Sequence, residues 1–224
     1  MEFVVAVDGP AGSGKGTVTK IVGKREKLVY IDTGAMYRCV TLDMLRKNIG
    51  LEDIEKIKEV LENINIEFKE ENGQNTVYLN GENVTKAIRE NEVNQMVSQV
   101  SHLVEVRKNI TNLSRKVAEG KQVIMEGRDI GTNVFPNADI KIYLDATSEE
   151  RAKRRYKQNQ EKGINIPYEE ILENIKFRDH NDKTSPVAPL KQAEDAIYID
   201  SSNMTIEEVA NRIIEIIKEK KNTL

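Results

Sequence analysis

The chain has 224 residues, 32% of them charged and 38% hydrophobic, with a formal net charge of −3. That is enough chain to bury a sizeable core, and the mix suits a solvated globule rather than a disordered or bulk-basic nucleic-acid-binding chain. No apolar run nears the roughly 20 residues that span a bilayer, the opening residues lack the pattern of a signal peptide, and the lone cysteine, Cys39, rules out an internal disulfide framework.

A cytoplasmic setting is therefore expected, with no membrane or nucleic-acid partner. His102 and His180 lie far apart in sequence, so no histidine metal site is expected and each reads as a solvated or locally bonded side chain.

In chain order, Phe3-Val4-Val5-Ala6-Val7 is a near-continuous apolar run stopped by Asp8-Gly9-Pro10, the pattern of a buried parallel strand. A helix is predicted over about 15–25, a strand at Val29-Tyr30-Ile31, and a helix over about 34–47. Between about 64 and 89 the rhythm changes. Ile66-Glu67-Phe68-Lys69 and Thr76-Val77-Tyr78-Leu79 are split by Glu71-Asn72-Gly73 and followed by Asn80-Gly81, which predicts a small antiparallel insertion. Helical segments follow over 91–101 and 103–117.

Three further strands are predicted at Val123-Ile124-Met125, Ile140-Lys141-Ile142-Tyr143-Leu144 and Ala196-Ile197-Tyr198-Ile199. The last two lead into Thr147-Ser148-Glu149-Glu150 and Ser202-Asn203-Met204-Thr205-Ile206-Glu207-Glu208, each a hydroxyl cap candidate with an acidic first turn. The final helix, over 206–220, has an apolar stripe that one sheet face absorbs, so a monomer is expected. Strands alternating with helices predict an α/β fold, a parallel sheet flanked by helices on both faces. We expect a single domain over 1–224, with a core at 1–63, 90–150 and 184–224.

Gly9-Pro10-Ala11-Gly12-Ser13-Gly14-Lys15-Gly16-Thr17 follows the first strand and opens a helix. Its spacing is that of a phosphate-binding P-loop, except that Gly16 stands where the common form has Ser or Thr, which comes one later as Thr17. Glycines let successive N–H groups turn toward phosphate oxygens, and the helix N-terminus adds partial positive charge. Lys15 supplies a mobile cation for the β- and γ-phosphates, and Thr17 a hydroxyl near phosphate or magnesium. The loop alone leaves GTPase, motor and kinase chemistry open. No Asn-Lys-x-Asp guanine-reading string occurs, and the chain is too short for a motor's machinery, so a kinase of a small acceptor leads.

Four more strings narrow the field: Asp32-Thr33-Gly34-Ala35-Met36-Tyr37-Arg38, Glu126-Gly127-Arg128-Asp129-Ile130-Gly131-Thr132, Arg178-Asp179-His180-Asn181-Asp182, and Val187-Ala188-Pro189-Leu190. With the Gly-Lys-Gly-Thr form of the loop, the chain resembles the bacterial cytidylate kinases over essentially its whole length. The resemblance implies a P-loop kinase with a five-stranded parallel sheet, an antiparallel insertion at about 64–89 in an acceptor-binding lobe, and an arginine-bearing lid at about 150–183. It implies transfer of the γ-phosphoryl of ATP to CMP or dCMP, a step of pyrimidine nucleotide metabolism, with Mg²⁺ arriving on ATP.

The resemblance also implies roles for single residues. Thr33, Arg38 and Arg128 would hold the acceptor phosphate, with Tyr37 near the base. Ser98, Arg107 and Asp129 would read cytosine, which wants donors for O2 and N3 and an acceptor for its amino group, making UMP a poorer substrate. Arg178 and Asp182 would serve the acceptor ribose, and their spacing by itself predicts an i,i+4 pair. The sequence departs from the family pattern at Ser185, where an arginine for the acceptor phosphate usually stands three residues after that aspartate. Lys183 is nearby, but a point charge does not replace a forked guanidinium.

Arg151, Arg154 and Arg155 share one face of the helix around 149–157 by spacing, with Glu150–Arg154 a helical ion pair in the plainer reading. As lid arginines they would stabilise the transferring phosphoryl. Asp8 and Glu126 are placed either to hold metal-bound water or to accept hydrogen bonds from the loop backbone, and no dedicated metal cage is expected. Three rivals stay open: a P-loop kinase for another acceptor, a nucleotide-binding module without turnover, and nucleic-acid binding through 151–157.

Overall fold

The computed structural model describes residues 2–71 and 74–223. In chain order its elements are β1 (Phe3–Asp8), α1 (Lys15–Glu26), β2 (Val29–Asp32), α2 (Thr33–Arg46), α3 (Ile54–Asn63), β3 (Ile66–Glu71), β4 (Gln74–Leu79), β5 (Glu82–Asn83), α4 (Asn91–Val100), α5 (Val104–Ala118), β6 (Gln122–Gly127), β7 (Ile140–Asp145), α6 (Ser148–Glu161), α7 (Tyr168–Thr184), β8 (Ile197–Asp200) and α8 (Ile206–Lys221). A π-helical turn, Ile130–Val134, follows β6. The chain divides into two compact units, residues 1–30 with 118–224, and residues 31–117.

The first unit is built on the five-stranded parallel sheet, in the order β2-β6-β1-β7-β8. Central β1 runs beside β6, with Phe3 opposite Gln122 and Asp8 opposite Gly127, and beside β7, with Val5 opposite Ile140 and Asp8 opposite Tyr143. Alternation puts Phe3, Val5, Val7, Ile140, Ile142 and Leu144 into one core. Helices α1 and α8 close it with Val18, Val22, Val209, Ile213 and Ile217. Each such aliphatic side chain contributes about 1.5–3 kcal/mol on full burial.

Caps set where the helices start. Thr147 accepts from the Glu150 N–H at 3.2 Å and begins α6. Thr205 and Glu208 form a reciprocal capping box for α8, the side chain of each taking the other's N–H.

The second unit packs α2 through Ala35, Met36, Cys39, Val40 and Met44, all buried. Burial, and secondarily the negative charge of Asp32, pushes the Cys39 thiol up to about 12, so it stays protonated. Helix α3, which the sequence reading did not anticipate, buries Ile57, Val60 and Leu61. Strands β3, β4 and β5 form the expected antiparallel sheet, with Ile66 opposite Leu79 and Leu79 opposite Glu82. Asn80 and Gly81, both at positive φ (50° and 85°), make the two-residue turn into β5. The expected turn at Asn72-Gly73 lies outside the described residues. Among the described residues, no helix is long and apolar enough to cross a membrane.

Candidate active site

The first unit presents the phosphate loop at the carboxyl end of β1, where open α/β sheets bind ligands. Gly9 permits the chain to leave the strand. A Cβ there would lie 2.0 Å from the Leu144 carbonyl oxygen, and its φ is +150°. Gly14, in the left-handed region, is the N-cap of α1. Lys15 is buried, and its Nζ donates to the carbonyls of Gly9 at 2.7 Å and Pro10 at 2.8 Å. Burial, and then the like charge of Arg128, push Lys15 down to about 7, against the pull of Glu126, Asp8 and Asp182. The Thr17 side chain is exposed at the helix start.

Two buried carboxylates flank the loop. Asp8 accepts from the N–H groups of Ile130 at 2.8 Å and Gly131 at 2.7 Å. It therefore serves as a backbone acceptor for the turn after β6 rather than for the phosphate loop. Burial pushes Asp8 up to about 6 despite those two bonds. Glu126 accepts a short hydrogen bond from the Tyr30 hydroxyl, and its Oε1 occupies the space where a Cβ on Gly16 would fall, at 2.9 Å. No three His, Cys, Asp or Glu side chains among the described residues group as a metal cage.

The turn after β6 carries Arg128 and Asp129. Arg128 Nε donates to Asp182 Oδ2 at 2.9 Å, and the Asp129 carboxylate, itself buried, accepts from Asn133 Nδ2 at 3.0 Å. The i,i+4 pair expected between Arg178 and Asp182 is thus replaced, because Arg128 reaches Asp182 from the sheet edge. Arg178 keeps an exposed face. Crowding by protein atoms, and then the like charge of Arg128, lower its affinity for the proton, which an arginine still keeps at neutral pH. Ser185 is buried at the end of α7 and donates to the Val187 carbonyl at 2.7 Å, which turns the chain back toward Pro189-Leu190.

The three α6 arginines share a face yet have separate fates. Arg151 is 4% exposed; its Nε donates to the Ala146 carbonyl at 2.8 Å and its Nη1 to the Ala11 carbonyl at 3.0 Å, while Asp179 takes a two-point bond. Arg154 donates to Glu150 at 3.2 Å and to the Ser201 carbonyl at 2.5 Å. Arg155 is exposed, and no hydrogen bond or ion pair joins it to another described residue.

In the second unit, Asp32 caps α2 by accepting from the Ala35 N–H at 3.0 Å, which sets Thr33, buried, at the first turn. Arg107, also buried, donates from Nη1 to the Tyr37 hydroxyl at 3.2 Å, and its Cζ lies 5.5 Å from that ring's centroid. Arg38 donates to the Ile88 carbonyl at 3.3 Å and makes a short bond to Asn94 Oδ1. Ser98 is half-buried on α4.

Sequence reasoning assigned no role to three residues that shape the first unit's site: Tyr30, Asp179 and Ser201. Ser201 is buried, and its hydroxyl donates to the Asp145 carbonyl at 2.9 Å beside the carbonyl of Ser13. Asp179 lies inside the Arg178–Asp182 string, so a signal for it is present in the sequence. Tyr30 and Ser201 carry none that spacing reveals.

A central parallel strand running through a Gly-rich loop into a helix, with a buried lysine at that helix's first position and arginines on the helices beyond, defines a P-loop phosphotransferase. A solved structure of an uncharacterized protein from Eubacterium ventriosum shares this fold at a TM-score of 0.50 and 13% identity, covering 97% of this chain and 99% of that one. The family model for cytidylate kinase matches residues 5–219. A cytidylate kinase of Fusobacterium nucleatum is 47% identical over 98% of this chain and 99% of its own length, and one of Caldicellulosiruptor saccharolyticus is 49% identical over 95% and 94%. The chain belongs to the cytidylate kinase family.

Proposed function

We propose that the protein transfers the γ-phosphoryl group of ATP to the phosphate of CMP or dCMP, giving ADP and CDP or dCDP. An oxygen of the acceptor phosphate forms the new P–O bond as the bond from the γ-phosphorus to the β,γ-bridging oxygen breaks, and the electron pair stays on ADP. No general base is required, since the attacking oxygen is anionic near neutral pH. The observation that carries this reading is the near-full-length family match together with an intact loop around a buried Lys15.

Residues 9–17 cradle the donor phosphates, and Lys15 holds their charge. Arg155, exposed and unengaged, is the α6 arginine free to meet the transferring group, while Arg154 orders the segment around Ser201. Thr33, Arg38 and Arg128 align the acceptor phosphate, and Arg178 and Asp182 hold its ribose. Ser98 and Arg107 donate to cytosine O2 and N3, Asp129 accepts from its amino group, and Tyr37 lies by the base. Uracil reverses two of those positions and leaves buried groups unpaired, so UMP is the weaker acceptor.

The donor set fits Mg²⁺ that arrives with ATP: Thr17 and Glu126 would hold it, directly or through water, beside phosphate oxygens. Bound there, it neutralises charge on the phosphates. The protein works as a monomer in the cytoplasm.

The test is ADP release from Mg-ATP with CMP, dCMP, UMP and AMP in turn. Turnover of CMP and dCMP well above UMP is expected. AMP as the preferred acceptor would sink the base assignment, and no turnover with ATP bound would make the protein a binding module.

A further inference from the structure

Arg151 of the first unit makes four hydrogen bonds to other described residues. Its stem passes under the phosphate loop, where a Cβ on Gly12 would lie 3.6 Å from the Arg151 Cβ. Its guanidinium then joins three segments that are remote in sequence. Nε donates to Ala146 at 2.8 Å, in the connection from β7 to α6. Nη1 donates to Ala11 at 3.0 Å, inside the phosphate loop, and to Asp179 Oδ1 at 2.9 Å on α7. Nη2 donates to Asp179 Oδ2 at 2.5 Å, and the two side chains are 4% and 16% exposed.

A planar fork with both arms on one carboxylate leaves little rotational freedom, and losing the partner would strand a buried charge. The loop and α7 thus share one rigid group. Helix α7 has a second tether one turn on, where Asp182 accepts from Arg128 at 2.9 Å. Arg178 immediately precedes Asp179 on the same helix, one turn before Asp182.

We infer that Asp179 is a positioning residue acting through Arg151, and that the pair couples the phosphate loop to α7, so that filling the loop with a nucleoside diphosphate strengthens binding of the nucleoside monophosphate served by Arg178 and Asp182. The inference rests on the activity proposed above. Closure of the loop on phosphate shifts the Ala11 carbonyl, Arg151 follows it, and α7 is held in the register that presents Arg178. A structural ion pair alone would stabilise the fold without linking the two ligands. By reciprocity, the monophosphate strengthens diphosphate binding by the same factor.

The experiment is calorimetric titration of ADP with and without saturating CMP, and the converse, on wild type, Asp179→Asn and Asp179→Glu, each with a melting curve. CMP is expected to tighten ADP binding about fivefold or more in wild type. The factor should fall to near one in Asp179→Asn and to an intermediate value in Asp179→Glu, which keeps the charge but not the two-point geometry. Full coupling in Asp179→Asn overturns the proposal whatever its melting temperature. So does a wild-type factor of one with both ligands bound. If Asp179→Asn does not fold, full coupling in Asp179→Glu overturns it instead. A wild type that binds ADP but no CMP refutes the proposed activity itself, and the coupling with it.

Discussion

Gly16 and Glu126 compete for one space, for a methyl group on Gly16 would meet Glu126 Oε1 at 2.9 Å. This accounts for glycine where the common loop has a hydroxyl residue: the carboxylate from the end of β6 fills the position. Gly16→Ala is expected to displace Glu126 from its bond with Tyr30, raising the KM for ATP about tenfold and lowering kcat. Adding Glu126→Asp, which shortens the carboxylate, should restore part of the loss. Initial-rate kinetics on both variants check this, and a double variant no better than the single one counts against it.

Arg151 and Arg155 should separate cleanly on mutation. Arg155→Met is expected to lower kcat by roughly 10²–10³-fold, the scale of one lost transition-state donor, with an unchanged melting temperature because it holds no other described residue. Arg151→Met leaves the Asp179 carboxylate without its partner and should cost about 3–5 kcal/mol of stability. Thermal melts beside single-turnover rates distinguish them.

Nucleotide binding should depend on pH through Lys15, pushed to about 7 chiefly by burial. Only the ammonium attracts phosphate, so ATP binding by wild type weakens by up to about tenfold per pH unit above 7. Lys15→Met should bind weakly with no such slope. The effect on stability has the opposite sign. An unfolded lysine near 10.5 holds its proton between pH 7 and 10.5, so this group makes the unliganded fold more stable as pH rises through that window.

Asp8 works the other way, its carboxyl being raised from 3.8 to about 6 by burial. The stability it contributes is fully present below 3.8 and is lost as pH rises through about 6. Asp8→Asn should remove that part of the slope in denaturant titrations between pH 4 and 6.

Arg107 tests base reading. Arg107→Met removes both a donor and the group that holds the Tyr37 hydroxyl. It should lower kcat/KM for CMP by about 10²-fold and for UMP much less, collapsing the preference. Parallel kinetics with the two acceptors measure the ratio, and an unchanged preference would remove Arg107 from the recognition set.

Much of the fold was legible because its cause is local. Short apolar runs bounded by polar residues, such as Val123-Ile124-Met125, read as buried strands, and all five parallel strands fall within about two residues of their expected ends. Helix α3 was missed although Ile57, Val60 and Leu61 carry the spacing of one buried helical face. The site was less legible where partners come from afar. Helical spacing groups Arg151, Arg154 and Arg155, but it cannot say that Asp179 and Ser201 are at hand to claim two of them. Likewise Arg178 and Asp182 have the right spacing for each other, and Arg128, some fifty residues earlier, takes the carboxylate.

The central position of β1 has a consequence for synthesis. Its two neighbours in the sheet begin at Gln122 and Ile140, so the strand that launches the phosphate loop has no lateral partner until more than half of these residues have left the ribosome. Pairings this distant in sequence form slowly. Until they do, Val5 and Val7 are bare hydrophobic surface, and the nascent chain is a substrate for chaperones before it is a receptor for nucleotide. A product truncated before β6 would carry the whole glycine-rich motif and no working loop.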